Sequence, residues 1–488
     1  MAFLPSPKII TIRRIAMIKF GTGGWRAIIG DDFSSSNIRL VAKGIADLIK
    51  ETGDTHLPVV IGHDRRFLAT PACEWIAEVL CHEGIKVLYF NRSVPTPLVM
   101  HMVKKKEYAY GIEVTASHNP AQYNGIKLII REGRDASVEV TERLEALIAA
   151  NEGKTVEYTP FAKCVSEGLA KALVDPFNDY IDDILGLIDT KAIREGNMRI
   201  LFDPMHGSGV FPVMAIMYTS RVTLDMIHGE RDTLFGGTMP APSLEGLEEL
   251  RRSVVSGGYN LGIALDGDGD RLGIIDSNGR YINANEVLCL LYYYLHEYKG
   301  YRGPVVRNIA STHMLDKIAE SFGEECIEVP VGFKYVSAAL DEYDAVLGGE
   351  SSGGLTVRGH IFGKDSIYAA SLFVEMLCRT GMTATEFITK LEEKYGIFRM
   401  KEANLVYAVP DKDRINTLIM IDKKLPDFGT PVKKVSYEDG CKVYFENGDF
   451  IICRFSGTEP LLRIFAESST PETADGYIEA FRKFVFEV

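Results

Sequence analysis

Short β-branched runs, each followed by a loop of glycine and polar residues and then by a helical stretch, recur along the chain. The runs lie at 59–64, 111–117, 199–206, 261–270 and 345–350. Helical periodicity fills the spaces between them, for instance at 38–49, 139–149 and 287–296. Such repeated units predict an α/β architecture in which ligands gather at the carboxyl ends of the strands.

The C-terminal part follows a different pattern. Apolar and polar residues alternate at 442–446 and 450–455, which predicts a half-exposed antiparallel sheet, and 471–486 predicts a closing helix. We therefore expect a smaller α+β domain after the α/β units. The expected domains are residues 1–175, 176–280, 281–395 and 396–488.

Length and charge limit the functions that the chain can serve. The 488 residues suffice for roughly three domains, with two to four compatible with the length. Lysine and arginine number 54 and aspartate and glutamate 67, so the net charge is −13. This balance argues against nucleic acid or an anionic membrane as a partner, and an anionic substrate must be held by local basic residues. The oligomeric state stays open.

Cysteine usage and hydropathy indicate a cytoplasmic protein. The eight cysteines form no CxxC pair and no metal-ligand spacing, so we expect reduced core residues. The chain has no run of 18 apolar residues, and its first sixteen residues lack a signal-peptide core. Met17 is a second candidate start of translation, which would make residues 1–16 a disordered segment or an extension.

Three aspartates alternate with glycines in Asp266-Gly-Asp268-Gly-Asp270-Arg271. Glycine spacers let the backbone curl so that the carboxylates point at one centre, where they repel unless a cation joins them. An EF-hand would need glycine and glutamate where Arg271 and Ser277 stand. Open carboxylate coordination suits Mg²⁺ shared with a phosphate. An acidic hairpin turn without a metal is the plainer alternative.

The aspartate run lies between two apolar runs, at 261–265 and 272–275. We therefore expect the loop to join two strands and to present its oxygen atoms at a strand end.

A polar loop, Thr115-Ala-Ser117-His118-Asn-Pro120, follows another predicted strand. A serine beside a histidine, with Lys127 ten residues further on, can act as a nucleophile or carry a phosphoryl group. Serine, asparagine and proline also form ordinary turns, so the loop alone does not decide between the two.

A third loop, 349–353, matches the G-x-S-x-G nucleophile elbow of α/β-hydrolases. Those enzymes place an acid and then a histidine after the serine, whereas here no acid separates Gly353 from His360, which is the last histidine of the chain. The hydrolase interpretation therefore fails. A Walker site at 153–155 fails too, because Ile148 stands where glycine is required.

A fourth loop, Arg454-Phe-Ser456-Gly457-Thr458, offers a guanidinium group, two hydroxyls and backbone amides. These groups can cradle a phosphate without a Walker lysine.

In this order, the four loops resemble those of the α-D-phosphohexomutases, the phosphoglucomutase/phosphomannomutase superfamily. The resemblance runs from Phe20 to the C-terminus and rests on 115–120, 266–271, 349–353 and 454–460. It implies an α/β fold of three similar mixed-sheet α/β/α domains plus a smaller C-terminal α+β domain around a central cleft.

The resemblance also implies a mechanism. Ser117 is carried as phosphoserine, and Mg²⁺ is held by Ser117 through its phosphoryl oxygen and by Asp266, Asp268 and Asp270. The phosphoryl group passes to a hexose phosphate, and the resulting hexose 1,6-bisphosphate, which also serves as activator, turns over and returns its other phosphate to the serine. Lys127 is the expected base if burial and Arg271 lower its pKa.

The implied residue roles follow the matching positions. The expected catalytic residues are Ser117, Lys127, His118 and Arg271. The expected substrate-binding residues are Arg26, Gly332, Lys334, Glu350, Ser352, His360, Lys364, Arg454, Ser456, Gly457 and Thr458. Glu350 and Ser352 would hold two adjacent sugar hydroxyls, and the last four residues would grip the phosphate that is not transferred.

The sugar is the least determined part of the interpretation. Relatives with dual specificity carry a histidine where this chain has Gly354, and the stretch 359–365 is more similar to the phosphoglucomutase branch. We therefore expect glucose 1-phosphate and glucose 6-phosphate as substrates. Phosphomannomutase or phosphoglucosamine mutase activity is the alternative, and a non-catalytic sugar-phosphate or metal-binding module is the alternative from another class.

Overall fold

The computed structural model describes residues 18–21, 23–456 and 460–486, so the expectation about residues 1–16 lies outside the described residues. Four β-sheets follow one another along the chain, with seven, five, four and five strands. Helices accompany each of them. Within the described ranges, no helix combines the length and apolarity needed to cross a membrane.

The first sheet has the strand order β1-β5-β4-β2-β3-β7, and β6 pairs with β5. Strands β4, β2, β3 and β7 are parallel, whereas β1, β5 and β6 add antiparallel edges. The elements are β1 (Trp25–Ile28), α1 (Ser35–Thr52), β2 (Val59–His63), α2 (Ala69–His82), β3 (Val87–Tyr89), α3 (Thr96–Lys105), β4 (Tyr110–Val114), β5 (Tyr123–Ile130), β6 (Arg134–Asp135), α4 (Val138–Asn151), α5 (Phe161–Ser166) and β7 (Ala170–Ala172).

The second sheet has the order β12-β11-β10-β8-β9 and is also mixed, because β8, β9 and β10 are parallel and β11 and β12 antiparallel. Its elements are α6 (Asn178–Leu187), α7 (Thr190–Gly196), β8 (Arg199–Asp203), α8 (Val210–Thr219), β9 (Thr223–Met226), α9 (Glu248–Gly257), β10 (Leu261–Leu265), β11 (Leu272–Asp276) and β12 (Tyr281–Ile282).

The third sheet has the order β14-β13-β15-β16, in which only β16 is antiparallel. Its elements are α10 (Ala284–Glu297), β13 (Val305–Asn308), α11 (Met314–Phe322), β14 (Cys326–Val329), α12 (Phe333–Glu342), β15 (Leu347–Gly349), β16 (Leu355–Val357), α13 (Ser366–Thr380) and α14 (Ala384–Tyr395).

The fourth sheet is antiparallel throughout, in the order β17-β21-β20-β19-β18. Its elements are β17 (Arg399–Val406), α15 (Lys412–Asn416), β18 (Val432–Ser436), β19 (Cys441–Phe445), β20 (Phe450–Phe455), β21 (Leu461–Ser468) and α16 (Pro471–Phe486). Three mixed sheets and one antiparallel sheet confirm the predicted fold class. The boundaries near 175, 280 and 395 stay predictions, and β12 pairs with the second sheet beyond residue 280.

The local sequence explains why these elements form. In α1, the Ser34 side chain accepts a hydrogen bond from the backbone of Asn37, and Gly53 ends the helix at a φ of 76°. Strand β2 is buried at every position, as expected for a parallel strand covered on both faces. One large apolar cluster joins α3, the second sheet, α10 and α13, so the three α/β units pack together.

Candidate active site

The loop after β4 holds the predicted nucleophile. Ser117 is only 1% exposed, and its φ of 53° lies in the left-handed region that few residues other than glycine adopt. Its backbone N–H donates to Oγ1 of Thr115 at 2.8 Å, which fixes the turn.

The aspartate loop joins β10 to β11, which pair antiparallel, so the predicted strand-loop-strand unit is confirmed. Oδ1 of Asp266 accepts hydrogen bonds from the backbone N–H groups of Asp270 and Arg271, at 2.9 and 3.0 Å. Gly269 turns the chain at a φ of 74°. The carboxylate of Asp266 thus closes the loop on itself.

The serine and aspartate loops meet, although 149 residues separate them. Oγ of Ser117 donates to Oδ2 of Asp266 at 3.0 Å. A Cβ atom on Gly267 would lie 2.8 Å from the carbonyl oxygen of Ser117, closer than real Cβ atoms approach. Glycine is therefore required at this spacer because the two loops pack backbone against backbone.

The three aspartates have the properties of a cation site. One carboxylate oxygen from each lies within 4.8 Å of the others, and all three residues are fully buried. Oδ1 of Asp268 and Oδ1 of Asp270 have no hydrogen-bond partner. Burial and then the charges of the other two aspartates raise the pKa of Asp266. Buried hard oxygen ligands with unused lone pairs fit a divalent ion such as Mg²⁺.

Two lysines already touch this cluster. Nζ of Lys127 donates to Asp268 at 2.7 Å and to Asp270 at 2.8 Å, and Nζ of Lys364 lies 2.8 Å from Asp270. Burial lowers the pKa of Lys127, but the two carboxylates more than offset it and hold the pKa above its ordinary value. The expected lowering of this pKa is therefore absent, because Lys127 faces carboxylates rather than Arg271.

His118 belongs to the serine loop, and Arg26 contacts that loop from β1. Nδ1 of His118 is 3.3 Å from Oγ of Ser117. Burial, and then the charges of Arg271 and Arg26, hold the pKa of His118 well below its usual range, so the ring is neutral. Nη1 of Arg26 donates to Oδ1 of Asn119 at 2.6 Å, which places this arginine on the serine loop.

A cleft of about 180 Å³ opens above these loops and takes residues from all four parts of the chain. Basic side chains dominate its lining among the described residues. They are Arg26, Arg271, Lys364, Arg454 and Arg463, whereas Glu350 is the single carboxylate of that lining. Such a cleft attracts phosphorylated ligands despite the negative net charge of the chain.

Glu350 is fixed in the cleft by its neighbours. Its Oε1 accepts from the backbone N–H of Gly332 at 2.9 Å and from Nδ2 of Asn308 at 3.2 Å. Ser352 lines the same wall and is exposed. A carboxylate and a hydroxyl side by side can bind adjacent hydroxyls of a sugar.

Arg454 lines the far side of the cleft. Its Nη2 donates to Oδ1 of Asp439 at 2.8 Å, while Oδ2 of Asp439 accepts from the backbone of Val331 at 2.7 Å. Asp439 thus links the predicted phosphate loop to the loop that carries Gly332. The backbone N–H of Ser456 donates to Leu461. The predicted positions Gly457 and Thr458 lie outside the described residues.

Three of the described residues predicted to bind substrate do not line the cleft: His360, Lys334 and Ser456. His360 is 5% exposed, and its Nε2 lies 2.6 Å from Oδ2 of Asp365, in a buried group with Tyr180. The turn that ends at Asp365 points His360 inward and Lys364 toward the cleft. Lys334 follows two lining residues, but its ammonium group lies over the ring of Tyr335.

Sequence reasoning missed residues that reach the site from a distance. Oγ1 of Thr96, the first residue of α3, donates to Oδ2 of Asp268 at 2.6 Å. Asn308 ends β13, and Asp439 lies in the turn before β19. The positions of Asn308 and Asp439 at strand ends could have marked them as candidates. Nothing in the local sequence, however, predicts which residues they contact.

The family is established by matches that span most of the chain. Residues 17–155, 178–279 and 283–395 match the phosphoglucomutase/phosphomannomutase α/β/α domains I, II and III, and residues 401–484 match the C-terminal domain. The chain belongs to the phosphoglucomutase/phosphomannomutase family, so it is an enzyme of the phosphohexomutase class.

Individual relatives differ in the sugar that they are named for. The chain is 28% identical to the phosphoglucomutase/phosphomannomutase of Thermococcus kodakarensis, over 94% of this chain and 96% of that protein. It is 26% identical to the phosphoglucosamine/phosphogalactosamine mutase of Sulfurisphaera tokodaii, over 96% and 98%. A crystal structure from Thermus thermophilus, designated a candidate phosphomannomutase, is 28% identical with a TM-score of 0.84, over 96% of this chain and 99% of that one.

Proposed function

We propose that Ser117 carries a phosphoryl group and that the enzyme moves phosphate between C1 and C6 of a hexose phosphate through a hexose 1,6-bisphosphate. One observation carries the proposal. The Ser117 hydroxyl donates at 3.0 Å to Asp266 of a fully buried aspartate cluster, and Lys364, which is paired with Asp270 of that cluster, lines a cleft rich in cations. Such a hydroxyl suits phosphoryl transfer, which depends on positioning and on neutralisation of charge.

In the first half-reaction, the bond between phosphorus and Oγ of Ser117 breaks, and a bond forms to a hydroxyl oxygen of the bound hexose phosphate. The hydroxyl proton leaves to Lys127 in its neutral form, and the product is the bisphosphate. A cation at Asp268 and Asp270 would favour that form, because it would offset the carboxylate charges that raise the pKa of Lys127. The bisphosphate turns over in the cleft, and the second half-reaction returns the other phosphoryl group to the same oxygen. Arg454 and Ser456 hold the phosphate that stays in place, while Glu350 and Ser352 hold the sugar in either orientation.

Asp266, Asp268 and Asp270 are the residues that would hold Mg²⁺. When bound, the ion would neutralise charge on the transferred phosphoryl group. The unpartnered oxygens of Asp268 and Asp270 support this assignment. Thr96 and Lys127, which bond the same aspartates, orient these ligands.

We expect Lys127→Met to lower kcat by roughly 10²–10⁴-fold with a smaller change in KM, because proton transfer contributes about that much. Steady-state kinetics with a saturating bisphosphate activator measure the effect. Lys299→Met is the matched control, since its ammonium group also bonds a buried carboxylate, that of Glu375, but outside the cleft. An unchanged kcat in Lys127→Met would mean that this lysine serves only as a charge partner of the aspartates and is not the base.

For the sugar, we propose mannose phosphates as the principal substrates and glucose phosphates as accepted ones. The two sugars share the C3 and C4 hydroxyls that Glu350 and Ser352 would hold, and differ only at C2. His360 is buried against Asp365 and Lys364 is paired with Asp270, so these two residues, which we expected to distinguish the C2 position, are engaged with other partners. This interpretation replaces the expected glucose preference, and the Thermococcus kodakarensis relative, named for both sugars, supports it.

Phosphoglucosamine mutase activity is the second candidate, because the Sulfurisphaera tokodaii relative is named for amino sugars. Against it, a C2 ammonium group would enter a cleft whose described lining has five cationic side chains and a single carboxylate. Like charges at close range disfavour binding.

A substrate panel tests the sugar assignment. We expect kcat/KM for mannose 1-phosphate to be at least equal to that for glucose 1-phosphate and to exceed it by less than about 100-fold. The reason is that discrimination is weak when the residues expected at C2 are engaged with other partners. Both should exceed glucosamine 1-phosphate. A clear preference for glucosamine 1-phosphate would favour the second candidate, and a strong preference for glucose 1-phosphate would restore the original expectation.

A further inference from the structure

Arg66 lies directly beneath the serine loop and is completely buried. Its Nη2 donates to the carbonyl oxygens of Ser117 and Asn119, at 2.5 and 2.6 Å. Its Nη1 donates to those of Pro120 and Tyr123, at 2.9 and 3.0 Å. One guanidinium group therefore binds three carbonyl groups of the loop that carries the nucleophile and a fourth at the start of β5.

The remaining N–H of this guanidinium group binds Asp64, the residue that follows β2. Nε of Arg66 donates to Oδ2 of Asp64 at 3.1 Å, and the same oxygen accepts from Oγ1 of Thr115 at 2.6 Å. Thr115 in turn accepts the backbone N–H of Ser117 at 2.8 Å. Each N–H of the Arg66 guanidinium group thus has an acceptor, and Asp64 compensates its charge.

The loop needs such support because its conformation is unfavourable by itself. Ser117 has a φ of 53°, and its carbonyl oxygen lies where the aspartate loop passes closest, over Gly267. Strained backbone persists where the surrounding contacts determine it from several sides. The planar guanidinium group of arginine donates to several carbonyl oxygens at once and so provides these contacts. The single ammonium group of lysine has no such planar arrangement of donors.

We propose that Arg66 is a positioning residue for phosphoryl transfer: through the carbonyl groups of the loop it sets the place of the Ser117 hydroxyl relative to the aspartate cluster and the cleft. The proposal rests on the proposed function of Ser117. Arg66 does not line the cleft and bonds no metal-site aspartate in the described contacts. Its effect should therefore appear in the chemical step rather than in substrate binding.

The test compares Arg66→Lys with wild type in steady-state turnover and in the rate at which dephosphorylated enzyme takes up phosphate at Ser117 from glucose 1,6-bisphosphate. We expect both rates to fall by about 100-fold, because small misplacement of a reacting group has effects of that order. KM for the hexose phosphate should stay near wild type, since Glu350 and Arg454 belong to other parts of the chain.

Two further variants separate positioning from stability. Arg307→Lys is the matched control: Arg307 is nearly as buried, with 2% exposure, and its guanidinium group binds Asp316 and Glu328 outside the cleft. It should unfold at a lower temperature yet keep the wild-type phosphorylation rate. Thr115→Val has nearly the same shape as wild type and removes only the hydroxyl between Asp64 and Ser117. It should slow phosphorylation and lower the unfolding temperature moderately, because the buried N–H of Ser117 loses its acceptor.

A folded Arg66→Lys enzyme with the wild-type phosphorylation rate would overturn the proposal, as would an equal loss of rate in Arg307→Lys. If Arg66→Lys does not fold, a wild-type rate in Thr115→Val overturns it instead. A wild-type enzyme that neither turns over hexose phosphates nor takes up phosphate at Ser117 would refute the proposed function, and this inference with it. Wild-type turnover together with an unaffected Arg66→Lys enzyme would refute this inference alone.

Discussion

Ser117→Ala should abolish mutase turnover, because the same hydroxyl oxygen gives up and receives the phosphoryl group in both half-reactions. The variant should fold normally, since the Ser117 side chain contacts only Asp266 and His118 in the described hydrogen bonds. Turnover of mannose 1-phosphate and glucose 1-phosphate, measured with a bisphosphate activator, checks this expectation.

Ser371→Ala is the control for this variant. Ser371 is also fully buried, but its hydroxyl bonds the backbone of Ile367 inside α13, away from the cleft. It should keep full activity. If Ser117→Ala turned over substrate at nearly the wild-type rate, either another residue would carry the phosphoryl group or the reaction would involve no phosphorylated enzyme.

Asp268→Asn should have the second largest effect. It removes one charge from the proposed Mg²⁺ site while keeping the shape of the side chain and an acceptor for Thr96. Loss of a group that only supports a metal ligand lowers activity by roughly 10–100-fold. We expect a larger fall for Asp268→Asn, because this substitution changes a ligand itself. Mg²⁺ binding, measured by calorimetry on the purified protein, should weaken in parallel.

Asp276→Asn serves as the control from the same hairpin. Asp276 is 1% exposed and bonds Ser277 and Thr385, so its role is structural. It should lower thermal stability without changing the metal requirement. Wild-type activity that survives EDTA in metal-free buffer would contradict the metal assignment whatever the variants do.

The sequence predicted those parts of the site that are local. The loop at 266–271 is recognisable because alternate aspartates, glycine spacers and flanking apolar runs lie within a few residues of each other. The structure confirms it as the turn between β10 and β11. The same holds for the fold class, since the alternation of strand and helix patterns distinguishes mixed sheets from the antiparallel sheet at the C-terminus.

Contacts between distant segments could not be predicted in this way. Arg66 and Thr96 act on loops that lie 51 and 172 residues away, and neither belongs to a recognisable motif. The interpretation of Lys127 was incomplete for the same reason. Its pKa depends on Asp268 and Asp270, which come from another sheet, so the direction of the shift is visible only in three dimensions.

The expectation for His360 shows a further limit. His360 and Lys364 stand four residues apart, and no local pattern distinguishes their roles. In the folded chain, a carboxylate from the same turn, that of Asp365, takes the imidazole into the interior, while Lys364 reaches Asp270. Among the described residues, the cleft lining therefore contains no histidine that could contact the sugar. The weak discrimination at C2 proposed above follows from this.

The most direct test of the central claim follows one phosphoryl group. The wild-type enzyme is labelled with radioactive phosphate from hexose 1,6-bisphosphate, freed of small molecules and mixed with unlabelled mannose 1-phosphate in a single turnover. We predict label on the peptide that contains Ser117 before mixing, and its transfer to mannose 1,6-bisphosphate afterwards. Label on another peptide, or label that stays on the protein while turnover proceeds, would contradict it.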